Sequence, residues 1–244
     1  MALYVSTANG SINLQVASGN INHNAAYTTA FWIYLTADAN DYGHFWAAST
    51  NADQYENSDL IGVDADGTTL TLGCYLSGGG GGLNGSSLST GTWYHLAVVR
   101  ESVTSLKAYL NGALDINVTT TDVTSRASCV NELVSRLNTL YGFNGRIAHF
   151  KQWQAALTID EVKAEMRSIR PLRFTNLNRW TPMVNTTVGS ADDSLYGSSW
   201  TPTGTWSVLD GPPVPWGNAV IVYPYAGAAA PVTGNPWYYY AQQG

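Results

Sequence analysis

The feature that most constrains this chain is a pair of alternating segments joined by a tight turn. Residues 93–99 place tryptophan, histidine, alanine and valine on one face and tyrosine, leucine and valine on the other. Residues 106–110 alternate in the same way and lead into Asn111-Gly112, a dipeptide suited to the positive φ angles of a two-residue hairpin turn. Alternation with a period of two is typical of a strand. The pattern therefore predicts an antiparallel β-hairpin.

Further strands are indicated on the N-terminal side of this hairpin. Residues 31–35 are apolar throughout and rich in strand-forming types, as expected of a central strand. Asp66-Gly67 separates the apolar runs 60–63 and 70–72, which predicts a second hairpin. Residues 78–87 begin with five consecutive glycines. Because ordering a glycine costs more backbone entropy than ordering any other residue, we predict a surface loop there.

One short helix is predicted after the last of these strands. Thr158 and Glu161 have the spacing of a capping box, in which the hydroxyl and the carboxylate each accept an otherwise unpaired backbone N–H. Apolar residues follow at helical spacing, and Pro171 requires the helix to end at or before Arg170. Many short strands with one short helix predict a two-sheet sandwich.

Charge and terminal sequence narrow the partners and the location. Only 11% of the residues are charged, the net charge is −6, and the few basic residues are scattered. A nucleic-acid binder would concentrate basic residues to neutralise phosphates, so no nucleic-acid partner is expected. The first residues show no basic and apolar export signal, and no apolar run approaches a membrane span. We therefore expect synthesis in the cytoplasm and no membrane insertion.

The composition changes sharply near residue 170. All nine prolines lie at or beyond Pro171, together with five of the nine tryptophans. We therefore predict a sandwich over residues 1–170, a β-rich extension over residues 171–211 and an extended aromatic, proline-rich arm over residues 212–244. The arm carries no charged side chain, whereas disordered tails are usually highly charged and poor in aromatics. This composition favours an arm docked on a surface, either of its own subunit or of a neighbour.

Three segments resemble a known family. Residues 92–100 followed by residues 106–112 resemble the central hairpin of laminin-G-like domains of the concanavalin A-like lectin/glucanase superfamily. Residues 143–150 followed by residues 156–162 are similar to the family's closing strand and short helix, and residues 30–33 are similar to an early strand. The resemblance covers about residues 1–170. It implies an all-β, two-sheet antiparallel jelly-roll sandwich of the concanavalin A-like type, here with one short helix and a long C-terminal extended region.

The resemblance leaves the function open, because this superfamily includes lectins, glucanases, adhesion modules and structural domains. Glucanase chemistry needs two carboxylates about 5–9.5 Å apart. Of the five glutamates, Glu161 is assigned to the helix cap and Glu101 to the end of a strand. The nearest acidic pair, Glu56 and Asp59, lies at the wrong spacing for the family's catalytic motif. We predict that the protein is not an enzyme.

The possible metal ligands in the sequence are acidic, histidine and cysteine side chains. Asp64 and Asp66 have a spacing suggestive of calcium ligands, although Asp66-Gly67 is also a turn signal. Ala148 stands where the family often has aspartate, which argues against calcium. The histidines show no zinc-ligand spacing, and His95 is interpreted as a buried, hydrogen-bonded strand residue. Cys74 and Cys129 are interpreted as buried thiols or as a single disulfide bridge.

Glycan binding needs exposed aromatic faces beside polar groups. Tyr42 and His44 in one predicted loop, and Tyr75 and Asn84 around another, are the candidates that the sequence offers. Any site would lie on loops at one rim of the sandwich or on the concave sheet.

The function predicted from these observations is that of a non-catalytic structural or decoration protein of a virion, most simply a phage. Its partners would be other virion proteins or copies of itself, with surface glycans as a further ligand for a lectin-like face. Assembly would bury aromatic side chains of the arm, which dominate interfaces of this kind. A representative set is Trp216, Tyr223, Tyr225, Trp237 and Tyr239. The alternative is an extracellular glycan-binding module.

Overall fold

The computed structural model describes residues 2–5, 13–16, 22, 24–36, 43–49, 58–64, 66–75, 81–119, 130–133, 142, 144–183, 201–203 and 207–214 of the 244-residue chain.

These ranges contain fifteen strands and one helix. In chain order they are β1 (Ala2–Val5), β2 (Asn13–Val16), β3 (Tyr27–Leu35), β4 (Gly43–Ser49), β5 (Ser58–Val63), β6 (Thr69–Tyr75), β7 (Gly81–Ser87), β8 (Trp93–Ser102), β9 (Ser105–Leu110), β10 (Ala113–Thr119), β11 (Val130–Leu133), β12 (Gly145–Trp153), α1 (Ile159–Met166), β13 (Leu177–Thr181), β14 (Thr201–Thr203) and β15 (Ser207–Leu209).

The strands form two antiparallel sheets. Sheet A has the order β10-β9-β8-β3-β12-β1-β15, and β13 pairs with the second half of β12. Sheet B has the order β14-β2-β11-β4-β5-β6-β7. The predicted two-sheet jelly-roll sandwich with one short helix is confirmed. Among the described residues, no helix is long and apolar enough to cross a membrane.

The main core lies between the two sheets and follows from strand alternation. Phe31, Ile33 and Leu35 of β3 point from sheet A into this space and are fully buried. Phe31 stacks on Phe150 of β12 with ring centroids 6.1 Å apart. Burying one side chain of this size is worth about 1.5–3 kcal/mol, so each alternating strand contributes several such increments.

Both predicted hairpins are confirmed. Asn111 and Gly112 have φ angles of 50° and 76° and connect β9 to β10, as the primed two-residue turn requires. Gly67 has φ of 78° between the paired strands β5 and β6.

The surface loop predicted over residues 78–87 is wrong for its second half, because Gly81–Ser87 forms strand β7. This strand lies at the edge of sheet B, where one backbone ladder with β6 suffices. Gly85 is required there, since a Cβ atom at this position would collide with Asp115 and Ile116 of β10. Ser86 donates from its backbone N–H to Asp115 over 2.9 Å, so the glycine allows β7 and β10 to join at one side of the sandwich.

The helix is capped as the sequence predicts. Thr158 Oγ1 accepts the Glu161 N–H, and the Glu161 carboxylate accepts the Thr158 N–H. Arg167 is the C-cap, so the helix ends before Arg170.

A buried lysine fixes the other end of this helix to sheet A. Lys151 Nζ of β12 donates to the Glu165 carboxylate over 2.8 Å and to the carbonyl oxygens of Ser168 and Arg170. Cations are favoured at helix C-termini, where carbonyl oxygens lack partners within the helix. Burial lowers the pKa of Lys151, and the Glu165 carboxylate opposes that shift. These hydrogen bonds from Lys151 attach the C-terminal end of α1 to β12 of sheet A.

The β-rich extension contributes strands to both sheets. β13 pairs with β12, β14 pairs with β2, and β15 pairs with β1 so that Ala2 lies opposite Leu209. The arm residues Trp216, Tyr223, Tyr225, Trp237 and Tyr239 lie outside the described residues, as does Cys129.

A buried ion pair connects the two sheets. Arg100 of β8 donates from Nε and Nη2 to the two carboxylate oxygens of Asp59 on β5, at 2.9 and 2.5 Å. The Tyr27 hydroxyl donates to the same carboxylate over 2.5 Å. Both ionic side chains are buried, so each charge depends on the other for its stabilisation.

Arg100→Met is expected to reduce the free energy of unfolding by about 3–5 kcal/mol, because it leaves the Asp59 carboxylate buried without its cation. Urea unfolding followed by tryptophan fluorescence measures this loss. The control is Lys107→Met, which breaks the partly exposed pair with Glu101 and is expected to cost below about 1 kcal/mol. Equal losses in the two variants would contradict the assigned role of Arg100.

Candidate functional site

Sheet A also buries apolar side chains on the face turned away from sheet B, here called the outer face. Ala30, Ala97, Val99, Tyr109 and Trp153 form a second apolar cluster on this face. Side chains of α1, of the segment leading into it and of β13 cover the cluster. The cover extends over only part of the sheet.

Beyond the cover, the outer face carries three large aromatic side chains in two neighbouring rows. In one row, Tyr34 of β3 lies opposite Trp93 of β8, with ring centroids 5.4 Å apart. In the next row, Trp32 of β3 lies opposite His95 of β8, also with centroids 5.4 Å apart. We call Trp32, Tyr34 and Trp93 the aromatic platform.

The aromatic platform is accessible from solvent. All three side chains are only partly buried. Within the described part of the chain, the indole N–H groups of Trp32 and Trp93 and the Tyr34 hydroxyl make no hydrogen bond, and none of these polar atoms is sealed from solvent. Buried tryptophan and tyrosine usually satisfy these polar atoms within the protein. Here they remain available to a ligand.

Arg146 extends the first row on the other side. It lies on β12 opposite Tyr34, and its guanidinium carbon is 4.6 Å from the centroid of the tyrosine ring. Its Nη1 donates to the Asp210 carbonyl oxygen over 3.1 Å. The row therefore presents a cation, a phenol and an indole across three adjacent strands.

Two histidines of sheet A are buried, and one of them, His95, contacts Trp32 of the platform. His95 is 2% exposed and His149 is 3% exposed, and His149 sits at a bulge of β12 with φ of 54°. Burial, reinforced by the positive charge of Lys151, lowers the pKa of each histidine to about 3. Both imidazoles are therefore neutral near pH 7 and add no positive charge to this face. The burial predicted for His95 is confirmed, but its Nδ1 has no partner among the described residues.

The predicted calcium residues lie in and beside the β5–β6 turn. Asp66 Oδ1 accepts the backbone N–H groups of Thr68 and Thr69 at 2.8 and 2.7 Å. Hydrogen bonds from Thr69 lower the pKa of Asp66 to about 2; the bond from the hydroxyl has the largest effect and the bond from the backbone N–H the next largest. Asp64 accepts from Asn84 over 3.1 Å. In the described ranges, no three His, Cys, Asp or Glu side chains come together as a possible metal site.

The predicted glycan-binding residues do not form one described cluster. Asn84 lies exposed on edge strand β7, bonded to Asp64. His44 is 5% exposed on β4 of sheet B. Tyr42 lies outside the described residues, and Tyr75 ends β6 with a side chain outside them.

Three glutamates whose side chains the structure describes have structural partners. Glu161 caps α1 and pairs with Arg173, Glu165 pairs with Lys151, and Glu101 pairs with Lys107.

The platform could not be predicted from the sequence, because alternation indicates strands but not which strands pair. Trp32 and Tyr34 alternate with Phe31 and Ile33 on β3, and Trp93 shares a face with His95 on β8. Two aromatic strand faces were therefore visible. Their contact depends on β3 pairing with β8, which lies some sixty residues away in the chain.

The comparisons with known proteins agree with this architecture. Residues 7–163 match the family model described as concanavalin A-like lectin/glucanases superfamily. The chain belongs to this superfamily.

Three solved members of the fold illustrate its range. A candidate carbohydrate-binding protein from Bacteroides ovatus is 16% identical with a TM-score of 0.64, covering 88% of this chain and 61% of that protein. The enzymatically active domain of tailspike protein 2 from bacteriophage CBA120 is 17% identical with a TM-score of 0.55. The match covers 75% of this chain and 32% of that domain. The CBM40 of a Ruminococcus gnavus sialidase, bound to α2,3-sialyllactose, is 10% identical with a TM-score of 0.50. The match covers 62% of this chain and 95% of that domain.

The chain thus spans less than two thirds of the Bacteroides protein and about one third of the tailspike domain. No curated protein matches the sequence.

Acidification is expected to destabilise the fold through His95 and His149. Each pKa is about 3 in the folded protein and about 6.5 when unfolded. The unfolded chain therefore binds more protons below pH 6.5, and stability is lost as the pH falls from 6.5 towards 3. The slope is about 1.4 kcal/mol per pH unit for each histidine.

His95→Leu and His149→Leu should each remove about half of the combined slope of the two histidines between pH 6.5 and 4.5. This window lies above the pKa values of most carboxyl groups. Urea unfolding at several pH values measures it, with each variant compared with itself at pH 7.5. Unchanged slopes in both variants would contradict the assignment.

Proposed function

We propose that this protein is a non-catalytic glycan-binding module and that the aromatic platform is its binding surface. The observation that carries the proposal is the arrangement of Trp32, Tyr34 and Trp93 on the uncovered part of the outer face, with their polar atoms free to meet a ligand.

The chemistry of a sugar matches this surface. A pyranose ring has an apolar face of C–H groups and a rim of hydroxyls. Aromatic rings pack against the apolar face, while nearby N–H and O–H groups orient the hydroxyls. Since the three side chains stand on paired β-strands, their relative positions are set before the ligand arrives. A surface ordered in advance loses less conformational entropy on binding.

Two of the compared structures support the proposal. The Bacteroides ovatus protein is a candidate carbohydrate-binding protein, and the Ruminococcus gnavus domain was solved with a bound sialylated sugar. The engagement of Glu101, Glu161 and Glu165 in structural contacts supports a binding role over hydrolysis.

Trp93→Ala and Tyr34→Ala are each expected to weaken glycan binding by about tenfold, because each removes a stacking contact worth about 0.5–1.5 kcal/mol together with the apolar area that it buries. A glycan array with the wild-type protein identifies the ligand, and titration calorimetry then measures the dissociation constants. The matched control is Phe174→Ala, which removes an exposed aromatic side chain outside the platform and should leave binding unchanged.

Two results would count against the proposal. One is an array on which the wild-type protein binds no glycan, with or without calcium. The other is a glycan whose affinity falls equally in Phe174→Ala and Trp93→Ala, since binding would then not depend on the platform.

We also propose that the module acts within a phage particle, assembling through its C-terminal arm. A tailspike protein of bacteriophage CBA120 contains the same fold, and the arm is uncharged and rich in aromatics. Surface glycans and other virion proteins would then both be partners of one chain.

Deleting residues 215–244 should lower the oligomeric state or abolish attachment to a virion partner, because the arm's aromatic side chains would supply the contact. Sedimentation velocity compares the full chain with the truncated form, and the truncated form should still bind the glycan found on the array. Identical sedimentation of the two forms, with unchanged particle incorporation, would overturn the assembly role.

A further inference from the structure

Arg146 is held at one end of the platform. It lies in register with Tyr34, and its guanidinium lies over the tyrosine ring at 4.6 Å. The bond from Nη1 to the Asp210 carbonyl oxygen restrains the group from the other side. Guanidinium–aromatic packing and a backbone acceptor together fix a side chain that would otherwise sample many rotamers.

The charge of Arg146 is not neutralised within the described part of the chain. Among the described residues, its one hydrogen bond is to a neutral carbonyl oxygen, it forms no ion pair, and its Nε is buried without a partner. Arg100 and Arg173, in contrast, bond to Asp59 and Glu161. The Asp210 carboxylate is exposed and does not pair with the guanidinium. Arg146 therefore retains capacity for an anion from outside.

We propose that the platform selects glycans that carry an acidic substituent, a carboxylate or a sulfate, and that Arg146 binds this group. The inference rests on the proposed glycan-binding function and names its substrate class. A planar guanidinium matches the paired oxygens of such anions, and charge-assisted bonds are about twice as strong as neutral ones.

The order of side chains along the row sets the orientation of the ligand. Neighbouring strands lie about 4.8 Å apart, so Arg146 on β12 and Trp93 on β8 are separated by about 10 Å across β3. The acidic group lies at the Arg146 end, and the sugar rings pack over Tyr34 and Trp93. The same row thus binds the charged group of the ligand at one end and an apolar face of the sugar at the other.

The net charge of the protein does not oppose this selection at short range. The chain carries −6 overall, but exposed charges are screened beyond about 8 Å at physiological ionic strength. An anion at the guanidinium therefore responds mainly to Arg146 and its immediate neighbours.

The test compares matched ligands on wild-type protein and two variants by titration calorimetry. The ligands are an oligogalacturonide and its methyl ester, 3′-sialyllactose and lactose, and sulfated and unsulfated galactose oligomers. Arg146→Gln removes the charge and retains a polar side chain. The control is Arg167→Gln, which makes the same charge change at the exposed C-cap of α1. Thermal unfolding confirms that each variant is folded.

Wild-type protein is expected to bind at least one acidic member about tenfold or more tightly than its neutral match. Arg146→Gln should reduce that ratio to near one while retaining neutral binding, and Arg167→Gln should keep the ratio. The carboxylate and sulfate pairs show which anion is preferred.

Two outcomes overturn the inference in distinguishable ways. Equal binding of acidic and neutral members, or an unchanged ratio in Arg146→Gln, overturns acid selection and leaves glycan binding intact. Binding of no ligand by the wild-type protein, here or on the glycan array, overturns the proposed function and the inference together.

Discussion

The architecture depends on one constraint: the central strands of sheet A carry large apolar side chains on both faces. One face meets sheet B and forms the main core. The other must also leave water, and α1 and β13 cover only part of it. Apolar surface that a fold leaves in contact with water usually marks a place of interaction. The aromatic platform lies on the rest of this face, where its three side chains are partly exposed.

The position of that helix follows from ionic contacts as well as from apolar packing. Lys151 bonds to the carboxylate of Glu165 and to carbonyl oxygens at the end of α1. The second oxygen of Glu165 accepts the N–H groups of Leu172 and Arg173, which begin the return of the chain towards β13. A buried pair of this kind contributes little net stability when intact, but it tolerates few alternative arrangements. It therefore holds the cover in one place on sheet A.

The sequence predicts individual turns, strands and helix caps better than it predicts which strands pair with each other. The turns at Asp66-Gly67 and Asn111-Gly112 and the cap at Thr158 depend on residues within four positions of each other, and all three are confirmed. The platform depends on pairing between β3 and β8, which no local pattern specifies. The loop predicted around Gly81 is wrong because an edge strand needs only one ladder partner and because Gly85 makes room for Asp115. Turn and cap chemistry is local, whereas a binding surface forms from distant segments.

The pairing of Ala2 with Leu209 has a consequence for how the protein is made. Before residues 201–209 are synthesised, β1 and β2 lie at the edges of their sheets, positions that β15 and β14 occupy in the complete fold. Contacts between residues so far apart in sequence form slowly, because the chain between them must first lose its freedom. Unpaired strand edges are also sites where nascent chains associate with one another. In the interval before β14 and β15 emerge, β1 and β2 are thus open to pairing with another chain.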